Sequence, residues 1–134
     1  MADTPKRILI VGRDSEDSGR LARLLSNSNS NYQVSVAEDE ANALCTIQEG
    51  LVDLVITDHD NKSINGIHLT QRVVQSNAKV KVVLVSRLLD LDTYLRVMNE
   101  GCYDCVEAPY KVEDVLRVVQ CALNRAAGVH SGLN

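Results

Sequence analysis

The sequence predicts an α/β domain of (βα)5 form, a doubly wound sheet of five parallel strands covered by five helices. Three observations carry that expectation. Apolar runs of strand length alternate strictly with segments whose apolar residues recur at helical spacing. Two of the runs, ILIV at 8–11 and the LVIT that precedes Asp58, are nearly unbroken, as strands buried on both faces are. The 134 residues, 45% of them apolar, are enough for one self-sufficient core.

RILIV (7–11) reads as the first strand. Residues 15–26 read as a helix, with Leu21, Leu24 and Leu25 on one face and the acids Glu16 and Asp17 in the first turn. SNSNSN (26–31) is a polar loop, and YQVSVA (32–37) alternates like a strand exposed on one side. Residues 39–49 carry Ala43, Leu44 and Ile47 at helical spacing and close at Gly50. VDLVIT (52–57) is the third strand, followed by the polar loop DHDNKSING (58–66), whose Asn65-Gly66 is a turn signal. A third helix carries Ile67, Leu69, Val73 and Val74; KVKVVLV (79–85) is the fourth strand; residues 88–99 are helical. YDCVEA (103–108) is a short strand before Pro109, and Val112 to Leu123 form the last amphipathic helix.

Strict alternation and right-handed crossovers restrict the topology to a doubly wound sheet. The flavodoxin-like strand order 2-1-3-4-5 suits five strands, and its switch point falls between strands 1 and 3. Gly12-Arg13-Asp14 and Asp58-His59-Asp60 would then flank the crevice where such folds bind ligands.

Composition excludes several function classes. Aromatic residues are 3% of the chain, four Tyr with no Phe or Trp, so stacking platforms for flavin or single-stranded nucleic acid are hard to build. Net charge is −4 without a basic cluster, which argues against direct nucleic-acid binding. No apolar run approaches the ~20 residues of a membrane span, and MADTPKR has no apolar signal region. A cytoplasmic location is the expectation.

The four cysteines read as inert. Cys45 and Cys121 fall in apolar helical stretches, which predicts buried thiols. Cys102 and Cys105 form a CxxC with no second pair to complete a zinc site. They overlap the fifth strand, where residues three apart point to opposite faces. The expected metal set is therefore none.

In the crevice, the first loop has one glycine and matches neither GxGxxG nor GxxxxGK[ST], so a nucleotide cradle is unsupported. The three histidines complete no catalytic triad. His59 abuts the crevice as a solvated or packing residue, and His68 falls on the third helix. Asp58 is the strongest feature: a carboxylate on a rigid strand end can accept a phosphoryl group as an acyl phosphate. Asp at a loop start is equally able to cap its own turn.

At this point the sequence resembles a response-regulator receiver domain over nearly its whole length. VDLVITDHDNKSING resembles the segment in which a strand ends in the phosphoacceptor aspartate and reaches a glycine eight residues on, which implies Asp58 as acceptor and Gly66 as that glycine. VVLVS resembles the fourth strand, with Ser86 as the hydroxyl that senses the phosphate. GCYDCVEAPY resembles the fifth-strand segment, its register fixed by Gly101 and Pro109-Tyr110. The departures are as specific. Where the resemblance implies two metal-holding acids, the chain has Gly12 and Arg13; Asp14 and Asp60 remain as auxiliary acids. The phosphate-contacting lysine position holds Ala108, the aromatic switch position holds Cys105, and a loop proline position holds Lys62.

Phosphoryl transfer to a carboxylate joins two anions, and Mg²⁺ offsets the charge. With Asp58 the only well-placed acid, Mg²⁺ binding should be weak if it occurs at all. Arg13 either turns inward and pairs with Asp58, or turns outward toward solvent, Glu16 or Asp17. The expected function is an atypical receiver: a protein-interaction module in phosphorelay signalling, not an enzyme, with weak or no phosphorylation at Asp58. The resemblance implies a sensor histidine kinase or an output protein as partner through roughly residues 88–127, with homodimerisation there as an alternative. A working phosphoacceptor switch and a small flavodoxin-like ligand carrier or enzyme are the competing readings. One receiver-like domain is expected over residues 1–127, with 128–134 a tail or the cut end of a longer chain.

Overall fold

A computed structural model describes residues 4–12, 15–59, 64–76, 79–87 and 89–124. Strands β1 (Lys6–Val11), β2 (Tyr32–Ala37), β3 (Leu54–Asp58), β4 (Lys81–Ser86) and β5 (Asp104–Glu107) alternate with helices α1 (Ser15–Ser28), α2 (Glu40–Gln48), α3 (Gly66–Ser76), α4 (Leu91–Asn99) and α5 (Val112–Leu123). Every strand pair is parallel, in the order β2-β1-β3-β4-β5. This is the doubly wound topology that the alternation implied.

The reason the central strands lack polar alternation is visible in the core. β1 sends Leu9 and Val11 into one layer and Ile8 and Ile10 into the other. The first layer is closed by Ala43 and Ile47 of α2, Leu69 and Val73 of α3, and Val97 of α4. The second is closed by Leu21 and Leu25 of α1 and by Val115 and Val119 of α5. With a helix layer on each face, both parities of the strand must be apolar.

Several boundaries move, each for a local reason. β3 extends to Asp58, which still pairs with Val85, and the His59 N–H donates to the Val85 carbonyl at 3.1 Å. β4 likewise keeps Ser86 in the ladder, opposite Glu107. α4 begins at Leu91 rather than near 88, because the Asp90 carboxylate caps it by accepting the Thr93 N–H at 2.8 Å. Asp39 caps α2 in the same way. Asn65-Gly66, read as a turn, is a helix start. The Asn65 side-chain oxygen accepts the His68 N–H at 3.0 Å, and its carbonyl accepts the Leu69 N–H at 2.9 Å. Asn65→Ala should cost about 1 kcal/mol and lower Tm by roughly 3–5 °C. Thermal unfolding checks this; an unchanged Tm would remove the cap from the account.

The cysteine expectations need correction. Cys45 and Cys121 are exposed, not buried. On α2 the buried residues are Ala43 and Ile47, and Cys45 lies two positions from each, on the far side of the helix. Cys121 is out of phase with buried Val115, Val119 and Ala122. Cys102 and Cys105 do not point to opposite faces: both pack against the α2–α3–α4 layer. Strand alternation does not apply to Cys102, which precedes β5 in the turn after Gly101 (φ 103°). The tail 128–134 lies outside the described residues.

Candidate functional site

β1 and β3 are neighbours at the switch point of the sheet, and their C-terminal ends bring Gly12 against Asp58. A Cβ at position 12 would lie 3.1 Å from Asp58 Oδ2 and 2.5 Å from Ser18 Oγ. The Gly12 N–H donates to the Ala37 carbonyl at 3.0 Å, so the backbone is held in that place. Only the lack of a side chain lets the Asp58 carboxylate and the Ser18 hydroxyl bracket the same point.

Ser18 was not singled out from the sequence. It is 6% exposed, on the same stripe of α1 as Leu21 and Leu25. The signal was present: the 18-21-25 spacing puts a polar residue on an otherwise apolar face.

The Asp58 backbone is fixed from two sides. The Thr57 hydroxyl donates to the Asp58 carbonyl at 3.0 Å. The first residue of α3, Gly66, packs so closely that a Cβ there would lie 2.8 Å from the Asp58 carbonyl oxygen and 2.6 Å from Leu84 Cδ1. Glycine at 66 therefore allows the helix to start directly over the strand end. The Asp58 side chain itself is partly exposed at the crevice.

Ser86 stands at the end of β4 and is 1% exposed. Its carbonyl accepts the Ala108 N–H at 2.9 Å, which places Ala108 beside it at the end of β5. Tyr110, two residues on, packs half-buried against the α1–α5 layer. Burial raises its phenol pKa, and the Asp17 and Asp58 carboxylates add to that, while Arg20 opposes it. The charges of Asp17 and Asp58 both act on the Tyr110 phenol, a role that the sequence alone did not assign. Asp17 also pairs with Arg20 at 3.4 Å.

His59 is partly buried, and its Nδ1 finds no hydrogen-bond partner among the described residues. His68 instead reaches Glu40, Nδ1 to Oε2 at 2.6 Å, linking the first turns of α3 and α2. Cys105 is in the α2–α3–α4 layer, as is Cys102. Arg13, Asp14, Asp60 and Lys62 lie outside the described residues. Among the described residues, no three His, Cys, Asp or Glu side chains gather into a metal-binding group.

A flavodoxin-like sheet with an aspartate, a glycine eight residues on and a buried serine at the next strand end defines the signal-receiver class. The model of the response regulator receiver domain matches residues 8–120, and the chain belongs to that family. It is 28% identical over 127 residues to the virulence transcriptional regulatory protein PhoP of Salmonella typhimurium, covering 93% of this chain and 55% of that protein. It is 25% identical over 118 residues to the nitrogen assimilation regulatory protein NtrX of Azorhizobium caulinodans, covering 87% of this chain and 26% of that one. The chain thus spans about half the first relative's length and about a quarter of the second's. Among solved structures, a receiver domain protein from Clostridium thermocellum superposes with a TM-score of 0.82 at 22% identity, over 91% of this chain and 97% of that one. A CheY-like receiver from Methanospirillum hungatei gives 0.83 at 21%, over 92% and 98%. Among the described residues no helix is long and apolar enough to cross a membrane.

Proposed function

We propose that this receiver domain is an atypical one: a non-enzymatic, cytoplasmic interaction module of a phosphorelay, with a degraded Mg²⁺ site and little or no phosphorylation at Asp58. The single observation that carries this reading is Gly12 beside Asp58. At the point where a metal-holding carboxylate would hang, the chain has no side chain, and the nearest groups among the described residues are one carboxylate and the Ser18 hydroxyl. Mg²⁺ prefers several hard oxygens in octahedral order, and one carboxylate does little to displace its waters. Phosphoryl transfer to Asp58 then lacks the charge compensation it needs. Ala108 beside Ser86 compounds the loss, since no ammonium reaches the phosphate from that position.

The partner is a sensor kinase or an output protein. The docking face is α4, β5 and α5, where Leu91 is 69% and Leu95 54% exposed, with Tyr94 on the same helix. Exposed apolar side chains clustered on one helix fit a protein surface better than water. A second copy of the chain on that face is the alternative occupant.

A second reading, a working phosphoacceptor switch, is favoured by Asp58 and Ser86 both standing at the crevice end of the sheet. Incubation with acetyl phosphate and Mg²⁺, followed by intact mass, separates the two. The atypical reading expects at most a trace of phosphorylated protein. Full phosphorylation that disappears in Asp58→Asn would establish the switch instead.

A further inference from the structure

Cys102 and Cys105 play no part in the phosphate chemistry, yet the fold brings them together. Cys105 pairs with Leu84 on β4. The Cys102 sulfur lies 3.1 Å from the Val82 carbonyl oxygen and 3.0 Å from that of Asp104. Val82 and Leu84 share one face of β4, and both thiols pack on that face. The Cys102 sulfur thus lies against the carbonyl that immediately precedes Cys105, on the face where the Cys105 thiol also packs. Their environments differ. Cys102 is 5% exposed, whereas Cys105 is only partly buried.

We propose that Cys102 and Cys105 are a peroxide-oxidised dithiol, with Cys105 as the attacking sulfur and Cys102 as the resolving one. The Cys105 thiolate attacks one oxygen of hydrogen peroxide; the O–O bond breaks, a sulfenic acid forms on Cys105, and the released hydroxide takes up a proton to leave as water. The Cys102 sulfur then attacks the Cys105 sulfur; the S–S bond forms, the S–O bond breaks, and hydroxide leaves with the Cys102 proton as a second water. Two thiols lose two electrons and the peroxide gains them, so the sum is a disulfide and two waters.

The division of labour follows from access: Cys105 is partly exposed, while the buried Cys102 sulfur is held against the Val82 and Asp104 carbonyls. The neighbouring Cys102 lowers the Cys105 thiol pKa, against the opposing effects of burial and Asp104. The Cys105 thiol and burial raise that of Cys102. The thiolate is the nucleophile, so oxidation begins at Cys105. The bridge would tie the residue that follows the Gly101 turn to the second residue of β5. It is independent of whether Asp58 is phosphorylated.

The test uses the unmodified protein. After peroxide, free thiols are alkylated in denaturant and the protein is cut with trypsin. Cys102 and Cys105 fall together on peptide 97–111, which holds no other cysteine. The expected result is that this peptide loses two hydrogens and escapes alkylation in most molecules, and that dithiothreitol restores it. The exposed Cys45 and Cys121 peptides should remain mostly alkylated at that dose. In Cys102→Ser, Cys105 should instead be captured by dimedone as a sulfenic acid. Since that variant could fold poorly, a second measurement on the unmodified protein is binding of phenylarsine oxide, which bridges adjacent thiols: one equivalent should attach to peptide 97–111. The proposal is overturned if this peptide stays alkylated while Cys45 or Cys121 oxidises, or if its cysteines bridge only to other molecules.

Discussion

Gly66→Ala will destabilise the domain by about 2 kcal/mol, while the same substitution at Gly19 will stabilise it by about 0.5–1 kcal/mol. The two glycines both lie in helices, so propensity alone predicts a gain at each. Their surroundings decide otherwise. A Cβ at Gly19 meets nothing within 4 Å. A Cβ at Gly66 meets the Asp58 carbonyl oxygen at 2.8 Å, and backbone in a central strand cannot move aside cheaply. Gly66 is also the first residue of α3, where the propensity gain from Ala is smallest. Because α3 would be pushed off the end of β3, the loss should appear as a Tm drop of roughly 6–10 °C. It should also perturb the amides around Asp58. Equal and positive Tm changes at both sites would mean that the close approach at Gly66 is unimportant.

Gly12→Asp, combined with Ser18→Ala to clear the space, will tighten Mg²⁺ binding by about 10- to 100-fold. The new carboxylate would hang beside Asp58, giving the cation two carboxylates where the described residues offer one. At an effective dielectric of about 20, a unit charge pair 4 Å apart is worth ~4 kcal/mol. Dehydration of the ion takes back much of that, and the 1.4–2.8 kcal/mol left corresponds to the stated range. The same variant should be less stable than the parent in EDTA, because two carboxylates then share a small space. Added Mg²⁺ should raise its Tm, and raise the parent's much less. A variant whose Tm ignores Mg²⁺ would show that position 12 does not control the metal.

The topology was legible in the sequence because each central strand is buried on both faces. ILIV and LVIT carry that requirement in four residues each, and strict alternation with helices then implies a parallel sheet covered on both faces. Asp58 was legible for the related reason that a charge ends an apolar run abruptly. Strand and helix limits were less so. Asp58 and Ser86 continue their ladders although their side chains are polar, and backbone pairing leaves no trace in hydropathy. Asn65-Gly66 reads identically as a turn or as a helix cap until Gly66 is seen pressed on β3. Ser18 was overlooked because serine suits a solvent face, and only its phase with Leu21 and Leu25 marks it as buried. The Cys102–Cys105 pairing was misread because strand parity was carried one turn too far, across Gly101 and into a bend. Tyr110 served only to set the register, and its packing against the layer built by α1 and α5 depends on those helices lying on one face of the sheet.

The account stands or falls on what Gly12 does to the crevice. The most direct measurement is a Mg²⁺ titration of the unmodified protein, followed at the backbone amides of Gly12, Asp58 and Ser86. We predict small, linear shifts with no saturation up to about 10 mM, as for an ion that keeps its water shell. Saturation of all three amides together, with a dissociation constant below about 1 mM, would contradict the account and place a working metal site at Asp58.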